Sequence, residues 1–191
     1  MVWAVSRETE ERLAQYVACL RQWNPTINLM SARDLADVWS RHIPDGLAVA
    51  ALLAAQPGAV ADLGTGGGIP GLVASIVTGR AITLIESDRR KAAFLIEAVR
   101  MTGASAIVRS VRVEQSAVTG LAVVSARALA PLSRLLDLSL PMLDPTGCGL
   151  FVKGAGAEQE VRDARRRYRF TLARHHVQNA TILQVSDIVL A

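Results

Sequence analysis

From residue 1 to about residue 55 the apolar positions recur with the period of a helix; from Ala59 they gather into short runs separated by polar or glycine-rich segments. Leu13, Tyr16, Val17 and Leu20 fall at i, i+3, i+4 and i+7, one stripe of a helix that Asn24-Pro25 is expected to close. A second helical stretch begins near Ser31 or Asp34 and runs to Arg41, with Pro44 expected to interrupt it. A third covers Asp45–Ala55 and ends at the turn signal Gln56-Pro57-Gly58.

After that turn, strands and helices alternate. The expected strands are Ala59–Leu63, Ile82–Glu86, Ala106–Val113, Leu121–Ser125, Gly149–Lys153, Arg169–Val177 and Thr181–Leu190. The expected helices are Pro70–Thr78, Asp88–Thr102, Leu132–Leu143 and Ala157–Arg167. The early strands are continuous apolar runs, as parallel strands buried on both faces require. The short connection Gln178-Asn179-Ala180 predicts that the last two form an antiparallel hairpin at one edge. Together these predict an α/β, Rossmann-like, seven-stranded and mostly parallel sheet over residues 57–191, with an N-terminal helical extension over residues 1–56 packed on it.

The chemistry concentrates in Val60-Ala61-Asp62-Leu63-Gly64-Thr65-Gly66-Gly67-Gly68-Ile69-Pro70-Gly71. A strand ends, glycines follow, and a helix leaves. In such a unit the backbone approaches a ligand, because glycine bends freely and carries no side chain in the way. Glu86 closes the next apolar run twenty residues beyond Gly66, where a nucleotide-binding α/β fold places the carboxylate that holds ribose hydroxyls. Two readings stand. Gly66-Gly67-Gly68-Ile69-Pro70-Gly71 satisfies the G-x-G-x-x-G fingerprint of a dinucleotide site and so of an NAD(P)-linked oxidoreductase. Asp62-x-Gly64-x-Gly66-x-Gly68 satisfies the D-x-G-x-G-x-G form of S-adenosylmethionine-dependent methyltransferases. The length leaves no room for the separate substrate domain a dehydrogenase of this fold would need, which favours the methyltransferase.

Residues just past the remaining strand ends are the further candidates. Val113-Glu114 follow the third strand; Glu114 is either a surface carboxylate or a group near the adenine ring. Arg127, after the fourth, is either an ion-pair partner or a cation facing an oxyanion, which its planar fork suits. Lys153, after the fifth, is one of only two lysines in the chain. In the N-terminal part Asn28 reads as a helix cap or a substrate contact, and His42 as a helix-face histidine or a substrate contact.

Composition narrows the partners. The chain has 191 residues and a formal net charge of +4, with its pI near 9.7. Arg89-Arg90-Lys91 open one helix, and Arg162, Arg165, Arg166, Arg167 and Arg169 crowd another segment, so nucleic acid is a better partner than an acidic protein. A non-catalytic RNA-binding assembly factor on the same fold meets the same charge pattern. No apolar stretch approaches a membrane span, and Met1–Glu8 carries no basic flank with an apolar run behind it. Cys19 and Cys148 form no C-x-x-C and no His/Cys cluster, so a reduced, cytoplasmic, metal-free protein is expected; separately, the chain is expected to act as a monomer.

The ordered set N-P-T-I-N-L (24–29), R-H-x-x-D (41–45), D-L-G-T-G-G-G-I-P-G (62–71), L-I-E-S with a following basic residue and F-L (84–95), R-V-E (112–114), S-A-R-A (125–128) and V-K-G (152–154) closely resembles the RsmG (GidB) family of small-subunit ribosomal RNA methyltransferases. The resemblance implies methyl transfer from S-adenosylmethionine to guanine N7 at position 527, in the 530 loop of 16S ribosomal RNA, presented as RNA or as the small subunit. It implies cofactor contacts from Gly64, Ile69, Val113, Glu114 and Arg127, with Glu86 on the ribose; Gly66 and Gly68 complete the turn. Asn28, His42, Arg127 and Lys153 are the substrate candidates, and no catalytic general base is required.

Overall fold

The computed structural model describes residues 5–178 and 180–191; the first four positions of the expected extension, and the middle of the Gln178–Ala180 connection, lie outside them. Helix α1 (Arg7–Ile27) is capped by the Ser6 side chain, which accepts from the Thr9 N–H. It passes through Pro25 instead of closing there. Pro25 sits in the last turn, so the carbonyl that loses its donor belongs to Arg21, an exposed residue that water can reach. Asn24 then staples the exit: its side chain donates to the Met30 carbonyl at 3.1 Å and accepts from the Met30 N–H at 2.9 Å.

A short α2 (Ala32–Ala36) is followed by a wide π-type turn over Val38–His42 that runs directly into α3 (Ile43–Leu53). Pro44 therefore does not interrupt a helix. It stands at the second position of α3, directly after the wide turn in which the Ile43 N–H bonds the Val38 carbonyl, so the loosened helical ladder accommodates its missing N–H.

The strands are β1 (Ala59–Leu63), β2 (Ile82–Ile85), β3 (Ile107–Arg109), β4 (Leu121–Arg127), β5 (Leu143–Lys153), β6 (Tyr168–Val177) and β7 (Ala180–Leu190). They form one seven-stranded sheet in the order β3-β2-β1-β4-β5-β7-β6. β1 through β5 pair in parallel; β7 runs antiparallel to both β5 and β6, which leaves β6 at the edge. The crossovers are α4 (Gly71–Thr78), α5 (Arg89–Thr102), α6 (Leu132–Ser139) and α7 (Ala157–Ala164).

The alternation of side chains along each strand divides the core in two. Val60, Val123, Leu150, Val152 and Ile182 face a cluster with α1, α3, α4 and α5. Ala61, Val124, Ala126, Phe151 and Leu183 face a second cluster with α6 and α7. The N-terminal helices thus share one hydrophobic cluster with the sheet. Tyr16, wholly buried on α1, donates its hydroxyl to the Gly67 carbonyl at 2.5 Å, which ties the extension to the glycine turn itself.

Several boundaries differ from expectation. β3 stops at Arg109, because β2 offers partners only for residues 107–109, and Val113–Gln115 is a 3-10 turn outside the sheet. β5 begins at Leu143, six residues before the expected start, and α7 ends at Ala164. Arg165–Arg167 consequently form a turn and Arg169 lies in β6, so of the clustered arginines only Arg162 lies on the helix.

Candidate active site

The carboxyl ends of β1, β2, β4 and β5 open on one edge of the sheet, and the order of the parallel strands collects the candidate residues there. The glycine turn follows β1 with Gly64, Gly66 and Gly68 at φ 57°, 54° and 92°. At Gly64 the requirement is double: the backbone is left-handed, and a Cβ would sit 2.5 Å from Leu129 Cδ1. At Gly71 it is purely steric, since a Cβ would lie 2.5 Å from the Asp62 Cβ.

Asp62 is buried beneath the turn and shapes it rather than facing a ligand. Its Oδ2 accepts from the Gly71 N–H at 3.1 Å and its Oδ1 from the Ser125 hydroxyl at 2.6 Å, so one carboxylate links the start of α4 to β4. Burial raises its pKa to about 6, against the lowering effect of those hydrogen bonds. Glu86 completes the cradle from β2: Oε2 accepts from the Gly66 N–H at 2.9 Å and Oε1 from the Asp88 N–H at 2.8 Å. Each oxygen keeps a further lone pair for a donor such as a ribose hydroxyl.

Two clefts meet at this edge. The smaller, about 200 Å³, is bounded by Gly64, Ile85, Ser87, Val113, Glu114 and Leu129. Glu114 is half exposed and paired with Arg134 at 2.5 Å. The larger, about 510 Å³, is bounded by His42, Asp45, Arg127, Leu129, Lys153 and Glu160. Leu129 and Ala130 line both, so one short loop after β4 is the wall between them. A left-handed glycine turn, a buried carboxylate acceptor after β2 and an adjoining half-apolar cleft are what a nucleoside cofactor needs; the residues present fit S-adenosylmethionine, with no site required for a pyrophosphate.

The larger cleft is polar and compensated. Arg127 Nη1 donates to Asp45 Oδ2 at 2.7 Å. Burial pushes the Asp45 carboxyl upward, and the Arg127 guanidinium beside it pulls the other way. His42 is 5% exposed; Nε2 lies 3.1 Å from Asp34 Oδ1 without hydrogen-bond alignment, and Nδ1 has no partner. Burial, with the Arg127 charge, lowers its pKa, which favours the neutral ring, and both ring nitrogens are buried without a well-aligned partner among the described residues.

The sequence candidates divide accordingly. Gly64, Val113 and Glu114 line the smaller cleft, while His42, Arg127 and Lys153 line the larger; Gly66, Gly68 and Glu86 line neither. Ile69 sends its side chain into the core. Asn28 lines neither cleft: it is the left-handed C-cap of α1, φ 47°, and its N–H bonds the Asn24 carbonyl. Lys153 is buried and already engaged, donating to the Ala130 carbonyl at 2.7 Å and paired with Glu160 at 2.7 Å.

The basic residues divide too. Arg89 and Arg90 open α5 on the cleft edge. Register puts Arg169 opposite Val189, whereas Lys153 stands opposite Thr181, so the 165–169 group sits at the other edge of the sheet. There Arg166 and Arg167 pair with Asp163 and Asp137, and Arg165 stacks on Phe170. Sequence reasoning placed Tyr16 only on the apolar stripe of the first helix and did not single out Leu129 or Glu160. Asp45 was legible in R-H-x-x-D, whose spacing sets it one helical turn from His42.

Comparison with known proteins agrees with this geometry. The ribosomal RNA small subunit methyltransferase G of Granulibacter bethesdensis is 45% identical over 188 residues, 96% of this chain and 88% of the relative. That of Gluconobacter oxydans is 48% identical over 160 residues, 84% of this chain and 82% of the relative. Among solved structures, the ribosomal protein L11 methylase of Lactobacillus delbrueckii superposes with a TM-score of 0.59 at 16% identity, covering 74% of this chain and 75% of that one, a likeness of fold. The family model GidB, described as rRNA small subunit methyltransferase G, matches residues 9–186, and the chain belongs to that family.

Proposed function

We propose that this chain methylates N7 of one guanine in the 530 loop of 16S ribosomal RNA, using S-adenosylmethionine, as a monomer in the cytoplasm. The observation that carries the reading is the pair of clefts sharing the wall Leu129–Ala130 at the strand ends, one beside the glycine turn and one holding Arg127 and the neutral His42. Membership of the family supports the ribosomal substrate and disfavours the oxidoreductase and assembly-factor alternatives.

Held at the glycine turn by Gly64, Glu86, Val113 and Glu114, S-adenosylmethionine would supply an electrophilic methyl group. Guanine N7 already carries an in-plane lone pair, so no side chain has to remove a proton. The protein's contribution is alignment of acceptor and methyl, worth on the order of 7–11 kcal/mol in favourable cases. Gly64 leaves the backbone open, Glu86 orients the ribose, and Leu129 keeps the reacting partners in register across the wall. Arg127 and Arg89–Arg90 face phosphate, and the buried His42 supports the wall of the larger cleft beside Arg127. N7 lies on the major-groove edge, which is too narrow in A-form RNA for side chains to reach, so the target is a loop or a distorted element.

The test uses methyl-labelled cofactor with small ribosomal subunits lacking the modification, read by m7G-specific chain cleavage. One cut in the 530 loop is the expected result. Label at another nucleotide would retain the methyltransferase and overturn the acceptor.

A further inference from the structure

The wall between the clefts is held in a conformation its own sequence does not favour. Ala128 has φ 53°, a left-handed backbone that a residue with a Cβ rarely adopts. Contacts from outside the loop must hold it there. The Lys153 ammonium, 7% exposed, donates to the Ala130 carbonyl at 2.7 Å and lies 2.7 Å from Glu160 Oε2. The same Glu160 oxygen accepts from the Leu132 N–H at 2.8 Å. One carboxylate on α7 and one ammonium at the end of β5 therefore fasten the loop on both sides of Pro131.

We propose that Glu160 is a positioning residue for methyl transfer, acting through Lys153 and the Leu132 N–H to fix Ala128–Pro131 and with it the placement of Leu129 over Gly64. The proposal rests on the methyltransferase reading above. Lys153 and Glu160 then work as one unit, and Lys153 serves the loop rather than an RNA phosphate. The two roles separate experimentally. A phosphate-binding lysine, once removed, would flatten the salt dependence of RNA binding by about one unit. Removing the neighbouring carboxylate would at the same time tighten RNA binding, because a negative charge would leave the path of a polyanion.

The experiment is a double-mutant cycle with Lys153→Met, Glu160→Leu and the combined variant. Thermal midpoint and S-adenosylhomocysteine affinity are measured first, then kcat, KM and salt dependence on small subunits lacking the modification. Each single variant is expected to lower kcat on the order of 100-fold, with KM and salt slope unchanged, and the combined variant to be no worse than the poorer single one. Additive losses, or a flatter salt slope in Lys153→Met with tighter binding in Glu160→Leu, would overturn the proposal. Should Lys153→Met fail to fold, Glu160→Asp asks the same question: it keeps the charge but withdraws it from Leu132, and unchanged kcat sinks the idea. No transfer by the unsubstituted chain would fail the methyltransferase reading itself, whereas additive losses in an active parent fail this proposal alone.

Discussion

Arg127 Nη1 stands 2.7 Å from Asp45 Oδ2, so the end of β4 is tied by charge to the first turn of α3. The pair is mostly screened from water, with side-chain exposures of 21% and 11%. Removing one partner strands the other. Asp45→Ala is expected to destabilise the fold by about 3 kcal/mol, and Asp45→Asn, which keeps an acceptor oxygen, by about 1 kcal/mol. Urea denaturation measures both; equal losses would mean that the charge contributes nothing.

Arg127 also tests the substrate side. Arg127→Ala should slow methylation of small subunits at least about tenfold and flatten the salt dependence of binding by about one unit. If turnover and cofactor affinity both stayed at the parent values, Arg127 would have no place in the site.

The Tyr16 hydroxyl reaches the Gly67 carbonyl from fifty-one residues away in sequence. Burial raises its pKa, so it remains a donor across the working pH range. Tyr16→Phe leaves that carbonyl without its partner, a loss of about 1–3 kcal/mol. Calorimetry should show a lower melting temperature together with weaker S-adenosylhomocysteine binding. A lower melting temperature with unaltered binding would separate the hydroxyl from the cofactor turn.

Asp62 predicts an unusual pH profile. Its folded pKa is raised from 3.8 to about 6 by burial, so the folded chain holds this proton more tightly than the unfolded one. Its contribution is therefore most favourable below pH 3.8 and is lost as pH rises to about 6, a change on the order of 3 kcal/mol. Asp62→Asn removes that titration, so the difference in stability between parent and variant should move steadily over this range. A constant difference from pH 4 to 7 would contradict the assignment.

Glu86 accepts from two backbone N–H groups and keeps two lone pairs for the ribose. Glu86→Ala should weaken S-adenosylhomocysteine binding by about 10- to 100-fold, the range expected for hydrogen bonds to a charged acceptor. Binding within twofold of the parent would place the ribose elsewhere.

The division between sequence and structure follows the range of the interactions. Periodicity and turn chemistry are local, and they sufficed for the helical stripe at Leu13–Leu20, for the strand–glycine–helix unit at 59–78 and for the final hairpin. The G-x-G turn with Glu86 twenty residues on was legible because one βαβ unit brings its own two strand ends together. Pro25 and Pro44 misled because proline's cost depends on which carbonyl loses a donor and where in a helix it falls. Which carbonyl and carboxylate Lys153 meets, whether Arg127 is free or paired, and which end of the sheet carries Arg165–Arg169 depend on contacts between residues far apart in the chain. Arg127 meets Asp45 across eighty-two positions and Lys153 meets Ala130 across twenty-three, and only packing of the two core clusters against the sheet decides such distances.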